Sequence, residues 1–255
     1  MRGWAANGAI KTKRAEKHIN DLYTEVRTFF ARDTHRVVLE KQGEWGPTAG
    51  VVRITEPVPV EWGAVVGDAV HNLRSTLDIL SHQIGLATGT RKSKRSRQFF
   101  PIYDDVEKFK TNRLGEKQGL RKETVGLLAR TLPFQGRDKP LCLLRDLDDF
   151  DKHEILPLVA CSFQDLGYEI PFLGKDGKPM VFKTVAPRLI YPVEDGTVLW
   201  QIGASMSPVD MNPQPVFDIA LSEPQIVEGK PVFPLLRELT GLVERIVATF
   251  SDKLT

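Results

Sequence analysis

The sequence predicts an α+β protein: an N-terminal helical bundle with an inserted β-hairpin, then an antiparallel β-sheet and a C-terminal helix that packs back on the helices. Apolar residues recur at helical spacing in the first part, and short apolar segments separated by turn residues follow it. A broad apolar helical face returns near the end of the chain. Because the predicted strands follow one another directly, without helices between them, the sheet is expected to be antiparallel.

We expect one α+β domain over residues 1–255, with the helical part at about 1–153, the sheet at about 154–222 and the last helix at about 231–252. This length is sufficient for one large domain with its own core. The apolar fraction of 41% and the charged fraction of 27% are typical of a folded globular chain. They exclude a disordered chain, a collagen-like repeat and a bundle of membrane spans.

The elements of the helical part follow from apolar spacing and from turn residues. They are a helix at about 10–32, a hairpin with strands at 37–39 and 51–54, a long helix at about 62–85, and shorter helices near 104–111, 122–131 and 139–150. The sheet part is predicted to hold strands at 156–163, 168–173, 180–185, 189–193, 198–202 and 216–221. The turns at Asp176-Gly177 and Asp195-Gly196 predict two hairpins among these strands.

The predicted helix at about 62–85 has an unusual polar face. Its apolar residues form one narrow stripe, made of Val66, Val70, Leu73, Leu77, Leu80 and Ile84. On the other side lie Asp68, His71, Arg74, Ser75, Asp78 and His82. Lys and Glu, which are usual on a solvated helix face because they lose little entropy there, do not occur between residues 67 and 85. The composition indicates that these side chains have a role other than stabilising the helix.

Two interpretations of this polar face stay open. In the functional one, His71 is an acid or base, Asp78 orients its imidazole, Arg74 binds an anion, and Asn72 has a supporting position. In the structural one, this face is buried as well, and the same groups form hydrogen bonds to neighbouring elements. His82, nearer the end of the helix, is expected to be structural.

A second polar cluster lies at residues 145–156. If the helix continues, Asp146, Asp149 and His153 share one face, and carboxylates and imidazoles are groups that bind divalent metals. The chain contains no HExxH, no ExxH and no Cys pair at zinc spacing. The alternative is a solvated turn in which Asp151, Lys152 and His153 connect the helix to the next strand. The metal ligands, if any, stay unknown, and no cofactor is predicted.

The charge is distributed unevenly along the chain. Residues 1–130 contain 23 Lys and Arg against 15 Asp and Glu, whereas residues 131–255 contain 12 against 18. The densest basic run comprises Arg91, Lys92, Lys94, Arg95 and Arg97. Aromatic residues follow it, and cations beside aromatic rings are groups that bind phosphates and stack on bases. The alternative is a solvated loop, on a protein whose two oppositely charged surfaces meet each other or another subunit.

The segments GDAVHNLRSTLDIL, at residues 67–80, and DKHEIL, at residues 151–156, resemble an uncharacterised family of bacterial proteins. Members of that family carry a GD-x-x-HNLRS-x-LD-x-L helix and a later DKH, and the resemblance covers roughly residues 10–160. A weaker resemblance is to HEPN-type helical ribonucleases, which place an Arg and a His on one helix with four to six residues between them. Here seven residues separate Arg74 from His82, and His71 precedes the Arg.

The sequence therefore predicts a metal-independent ribonuclease or another phosphoester-directed enzyme, with His71, Arg74 and Asp78 as catalytic residues. The basic run at 91–97 is the predicted substrate-binding segment, with Asn72, Asp151, Lys152 and His153 in support. One alternative is a non-catalytic binding or assembly protein with a structural polar network, and a second is a metal-dependent hydrolase. The predicted partners are RNA or another polyanion and a second copy of the chain, with no membrane. The two cysteines, Cys142 and Cys161, cannot form a disulfide framework, which favours a cytoplasmic location.

Overall fold

A computed structural model describes residues 3–41, 43, 46–87, 99–111, 122–131, 139–163, 169–173, 178–183, 189–202, 207–208 and 215–254. It combines helices with antiparallel strands, which confirms the predicted α+β class. The basic run at 91–97 and the turn at Asp176-Gly177 lie outside the described residues.

The described part of the chain contains six helices: α1 (Gly3–Phe30), α2 (Glu61–Ala87), α3 (Val106–Thr111), α4 (Lys122–Arg130), α5 (Pro140–Asp151) and α6 (Val232–Leu254). Its strands are β1 (His35–Lys41), β2 (Thr48–Ile54), β3 (Leu158–Phe163), β4 (Glu169–Leu173), β5 (Pro179–Lys183), β6 (Leu189–Ile190), β7 (Val198–Ile202), β8 (Ser207–Pro208), β9 (Val216–Glu223) and β10 (Val227–Pro231). Most of these elements lie close to their predicted ranges, although α1 begins well before the predicted residue 10.

The strands form three antiparallel sheets, in the orders β1-β2-β7, β10-β9-β3-β6 and β5-β4-β8. The predicted hairpin between residues 189–193 and 198–202 is wrong. The turn at Asp195-Gly196 exists, and Gly196 has a φ of +87°, but β6 pairs with β3 while β7 pairs with β2. The turn therefore passes the chain from one sheet to another, because the donors and acceptors of each strand are taken up by a partner distant in sequence.

The long helix α2 forms the centre of the helical part, where it contacts α1, α5 and α6. Its predicted apolar stripe is buried, and each of its six residues is at most 2% exposed. Helix α6 also contacts α1 and α5, so the last helix packs back on the helices as predicted. Burying an apolar side chain of this size stabilises the fold by about 1.5–3 kcal/mol, and α2 contributes such side chains along its whole length.

A smaller apolar cluster lies between the sheets, around Val52, Val193, Leu199 and Phe217. Phe30, at the end of α1, packs against both this cluster and the helical core. In the described part of the chain, none of the helices has the length and apolar character needed to cross a membrane.

Candidate active site

The polar side chains of α2 fall into two groups on different neighbours. His71 faces helix α5, whereas Arg74 and Asp78 hold the backbone of the segment that precedes α3. The sequence predicted that these three residues form one catalytic set. The structure instead gives each group its own partners.

His71 is paired with a buried carboxylate of α5. Its Nδ1 atom lies 2.9 Å from Oδ1 of Asp148. The His71 side chain is 53% exposed, whereas that of Asp148 is only 3% exposed. Because a carboxylate can only accept, Nδ1 donates the proton of this contact, and whenever the ring is neutral its Nε2 has a lone pair that can accept one. The contact with the imidazole that was predicted for Asp78 is made by Asp148 in this structure.

Lys152 binds the other oxygen of the same carboxylate. Its Nζ atom lies 2.7 Å from Oδ2 of Asp148 and 2.8 Å from Oδ1 of Asp149. The Lys152 side chain is about half exposed. A buried carboxylate is stable in a folded protein when it is paired and hydrogen-bonded. Asp148 meets this condition, because His71 contacts one of its oxygens and Lys152 contacts the other. Lys152 therefore lies beside the pair of His71 and Asp148, and its supporting role stays a prediction.

Asp151 packs directly on α2 at Gly67. A Cβ atom added at Gly67 would lie 1.7 Å from Oδ1 of Asp151, so this carboxylate occupies space that only glycine leaves open. Burial raises the pKa of Asp151, and the negative charges of Asp68 and Asp148 raise it further. The GD segment of α2 and the DKH segment, which begins with the last residue of α5, were singled out separately in the sequence and are therefore in contact.

His153 does not join this group. It lies in the turn after α5, is exposed, and donates its backbone N–H to the carbonyl of Phe150. The predicted metal face of Asp146, Asp149 and His153 is not assembled as a site: Asp146 binds Arg145 and Asp149 binds Lys152. Among the described residues, no group of three or more His, Cys, Asp or Glu side chains is arranged to hold a metal ion.

Arg74 and Asp78 anchor Phe100. Nη2 of Arg74 donates to the Phe100 carbonyl at 3.1 Å, and Oδ1 of Asp78 accepts the Phe100 N–H at 2.8 Å. The two side chains also form an ion pair at 3.2 Å, and Arg74 is only 8% exposed. Burial raises the pKa of Asp78, while the charge of Arg74 opposes this shift. The guanidinium of Arg74 is buried and bonded to the backbone, and its predicted anion-binding role stays a prediction.

The side chain of Asn72 bonds to the backbone of its own helix. It is buried, and its side-chain amide donates to the backbone carbonyl of Asp68 at 2.7 Å. One turn further on, Thr76 contacts Thr12 of α1 through their hydroxyl groups at 3.3 Å. The Asn72 bond lies within α2, and the contact of Thr76 with Thr12 joins α2 to α1.

Sequence reasoning missed Asp148 and gave no role to Ser75. The Oγ atom of Ser75 lies 3.4 Å from Nε2 of His71, and the spacing of four residues on one helix was a signal for this contact. The sequence signal for Asp148 was its position, since it follows Leu147 on the buried, apolar side of α5. A carboxylate on a buried face requires a partner from another element.

Comparisons with models of protein families, with curated proteins and with solved structures find no match for this chain.

Proposed function

We propose that the protein is a phosphoester-directed enzyme that works without a metal, with His71 as its acid and base and RNA as the substrate to test. One observation carries the proposal. The imidazole of His71 is half exposed, while its inner nitrogen is fixed by a buried carboxylate 2.9 Å away. This arrangement fixes the ring orientation and leaves Nε2 able to accept a proton from an attacking hydroxyl group.

In this mechanism, Nε2 of His71 takes the proton of the attacking hydroxyl and returns it to the leaving oxygen. Asp148 is a positioning residue that stabilises the imidazolium formed between these two transfers. Lys152 supplies a positive charge beside the pair, and a lysine ammonium binds phosphate as a point charge. Arg74 and Asp78 have no part in the chemistry and hold the chain at Phe100.

The substitution His71→Gln tests the role of His71. Glutamine retains an N–H donor for Asp148 but cannot take up a proton, so the melting temperature should stay within a few degrees of the wild type. Cleavage of RNA in the presence of EDTA should fall by about 10²–10⁴-fold, the usual contribution of a positioned acid or base. The measurements are cleavage rates at saturating RNA and thermal unfolding followed by circular dichroism.

His153→Gln is the matched control, because His153 is exposed and lies near α5 without joining the pair. This variant should cleave RNA at the wild-type rate. Wild-type activity in His71→Gln, or an equal loss in both variants, would contradict the proposed role of His71. Activity that disappears only when EDTA is added would favour the metal-dependent alternative.

The second candidate function is a non-catalytic binding or assembly protein. It is favoured by the buried contacts of Arg74 and Asp78 with the Phe100 backbone, which show that part of this polar face holds elements together. Under this alternative, the pair of His71 and Asp148 has the same structural role. The wild-type protein would then cleave no RNA, and His71→Ala, which removes the donor to the buried Asp148, would lower the melting temperature.

A further inference from the structure

Ser75 completes a hydrogen-bonded series that runs from the interior to the surface. Asp148 is buried, His71 is half exposed, and Oγ of Ser75 lies 3.4 Å from the outer nitrogen of the ring. Separations near this length between nucleophile and base are found in unliganded enzymes and shorten when substrate binds. The order carboxylate, imidazole, hydroxyl is the one that activates a serine as a nucleophile.

The hydroxyl of Ser75 differs in its contact from the other helical hydroxyls of this protein. Ser and Thr within helices usually donate to the backbone carbonyl four residues earlier. Seven threonines in the described helices form that bond, namely Thr12, Thr24, Thr28, Thr76, Thr111, Thr240 and Thr249. Ser75 contacts the side chain of the residue four positions earlier instead, and Ser81 on the same helix donates to the carbonyl of Phe99.

We propose that Ser75 is the nucleophile of this site and carries a covalent phosphoryl group during turnover. The inference rests on the proposed function, because it takes the phosphoester as the substrate class. It adds that the attacking hydroxyl belongs to the enzyme and not to the substrate.

The reaction proceeds in two balanced steps. Oγ of Ser75 forms a bond to phosphorus as the bond from phosphorus to the leaving oxygen breaks. The proton of the serine hydroxyl passes to Nε2 of His71 and then to the leaving oxygen, which departs as an alcohol. Water then attacks phosphorus, giving a proton to the same nitrogen, and the bond from Oγ to phosphorus breaks as His71 returns that proton to the serine.

The charges around His71 favour this sequence of proton transfers. Asp148 is in direct contact with the ring. Asp151 lies close enough to interact electrostatically with His71, Asp148 and Asp68. Negative groups around an imidazole stabilise the imidazolium that each step forms. Lys152 offsets part of this negative charge at the exposed side, where a phosphoryl group would bind.

Diisopropyl fluorophosphate is a direct probe for such a serine, because it transfers its phosphoryl group to an activated hydroxyl as the phosphorus–fluorine bond breaks. We expect one adduct per folded chain, located at Ser75 by peptide mass spectrometry. Ser75→Ala should abolish the adduct. His71→Gln should slow its formation by about 10²-fold or more, since the hydroxyl then lacks its base.

The variants are chosen to fold. Ser75→Ala replaces a helical residue by a better helix former, so it should leave the melting temperature unchanged or slightly raised. Ser81→Ala is the matched control on the same helix and should form the adduct at the wild-type rate. Absence of label in the folded wild type, label at another residue, or equal rates with and without His71 would overturn the proposal.

RNA cleavage distinguishes this proposal from the one on which it rests. If Ser75→Ala cleaves RNA at the wild-type rate while His71→Gln does not, the nucleophile is not Ser75, and His71 keeps its role. If His71→Gln cleaves RNA normally, the proposed function itself fails. Loss of cleavage in both variants, together with the adduct at Ser75, supports both proposals.

Discussion

Burial changes the chemistry of single side chains in this protein, and His35 is a clear case. The residue is only 4% exposed, and its ring packs against Phe29, Phe30 and Phe217. Nδ1 of the ring contacts the hydroxyl of Thr34 at 3.2 Å. This apolar environment disfavours the charged form and lowers the pKa of His35 from 6.5 to about 4.

The lowered pKa predicts how stability changes with pH. Between pH 6.5 and 4 the unfolded chain binds a proton at His35 and the folded chain does not, so the free energy of unfolding falls as the pH falls. The slope approaches about 1.4 kcal/mol per pH unit for this group. Urea unfolding of the wild type and of His35→Gln across this range measures the contribution as the difference between the two profiles.

Carboxyl groups with a raised pKa, such as Asp78 and Asp151, act in the opposite direction, because the folded state takes up their protons first. The wild type and His35→Gln both contain these carboxyl groups, so their contribution cancels when one unfolding profile is subtracted from the other. Parallel profiles for wild type and His35→Gln would show that the ring is protonated equally in both states.

At the scale of elements, the contact of α2 with the end of α5 depends on glycines one turn apart. A Cβ atom at Gly63 would lie 2.2 Å from the backbone oxygen of Leu156, and one at Gly67 would overlap the carboxylate of Asp151. Backbone cannot move aside as a side chain can. The close approach at Gly63 therefore fixes the distance between α2 and the chain that leaves α5, and it helps to hold Asp148 beside His71.

Gly63→Ala should accordingly destabilise the protein. Alanine is the better helix former, yet the overlap with backbone should cost about 1–3 kcal/mol, the usual range for overpacking. Gly126→Ala in α4 is the control, because a Cβ atom there meets nothing within 4 Å. It should be neutral or stabilising by up to about 1 kcal/mol. Equal melting temperatures for both variants would contradict the packing argument, and loss of RNA cleavage in Gly63→Ala would link this contact to the site.

The sequence was sufficient to predict most helices and strands, but not which of them contact each other. The stripe of α2 is visible because helical periodicity is local, and all six of its residues are buried. The pairing of β6 with β3 and of β7 with β2 was not visible, since the turn signal at Asp195-Gly196 reports a reversal of the chain and not which strands pair. His71 was found as an unusual polar residue, but its partner Asp148 lies on another helix, and no spacing within α2 could identify it.

At the scale of the whole molecule, the uneven charge predicts salt-dependent binding of RNA. If the basic run at 91–97 contacts phosphates, replacing Arg91, Lys92, Lys94, Arg95 and Arg97 by Gln should weaken binding. It should also reduce the slope of log K against log salt concentration by up to about 0.7 per lost contact with a single strand. Fluorescence anisotropy with labelled RNA at several salt concentrations measures this slope.

The control variant removes the same number of charges elsewhere, by Gln substitution at five exposed cations: Lys13, Arg14, Lys41, Lys110 and Lys230. Its net charge matches that of the first variant, so a general effect of charge would change both slopes equally. A reduced slope in the first variant alone would locate the contact at 91–97. Salt-independent binding by the wild type would exclude a phosphate contact.

Because β2 pairs with β7, the first sheet can be completed only long after β2 itself has been translated. Thr48 pairs with Ile202, so the first sheet remains open on one side until about 150 further residues have left the ribosome after β2. Helix α6, which follows all the described strands in the sequence, must then join α1 and α2 to close the helical core. Contacts between distant parts of a chain form slowly, because loop closure has to precede them. The nascent chain thus exposes apolar surface until α6 has been made, a period in which protection from aggregation would matter most.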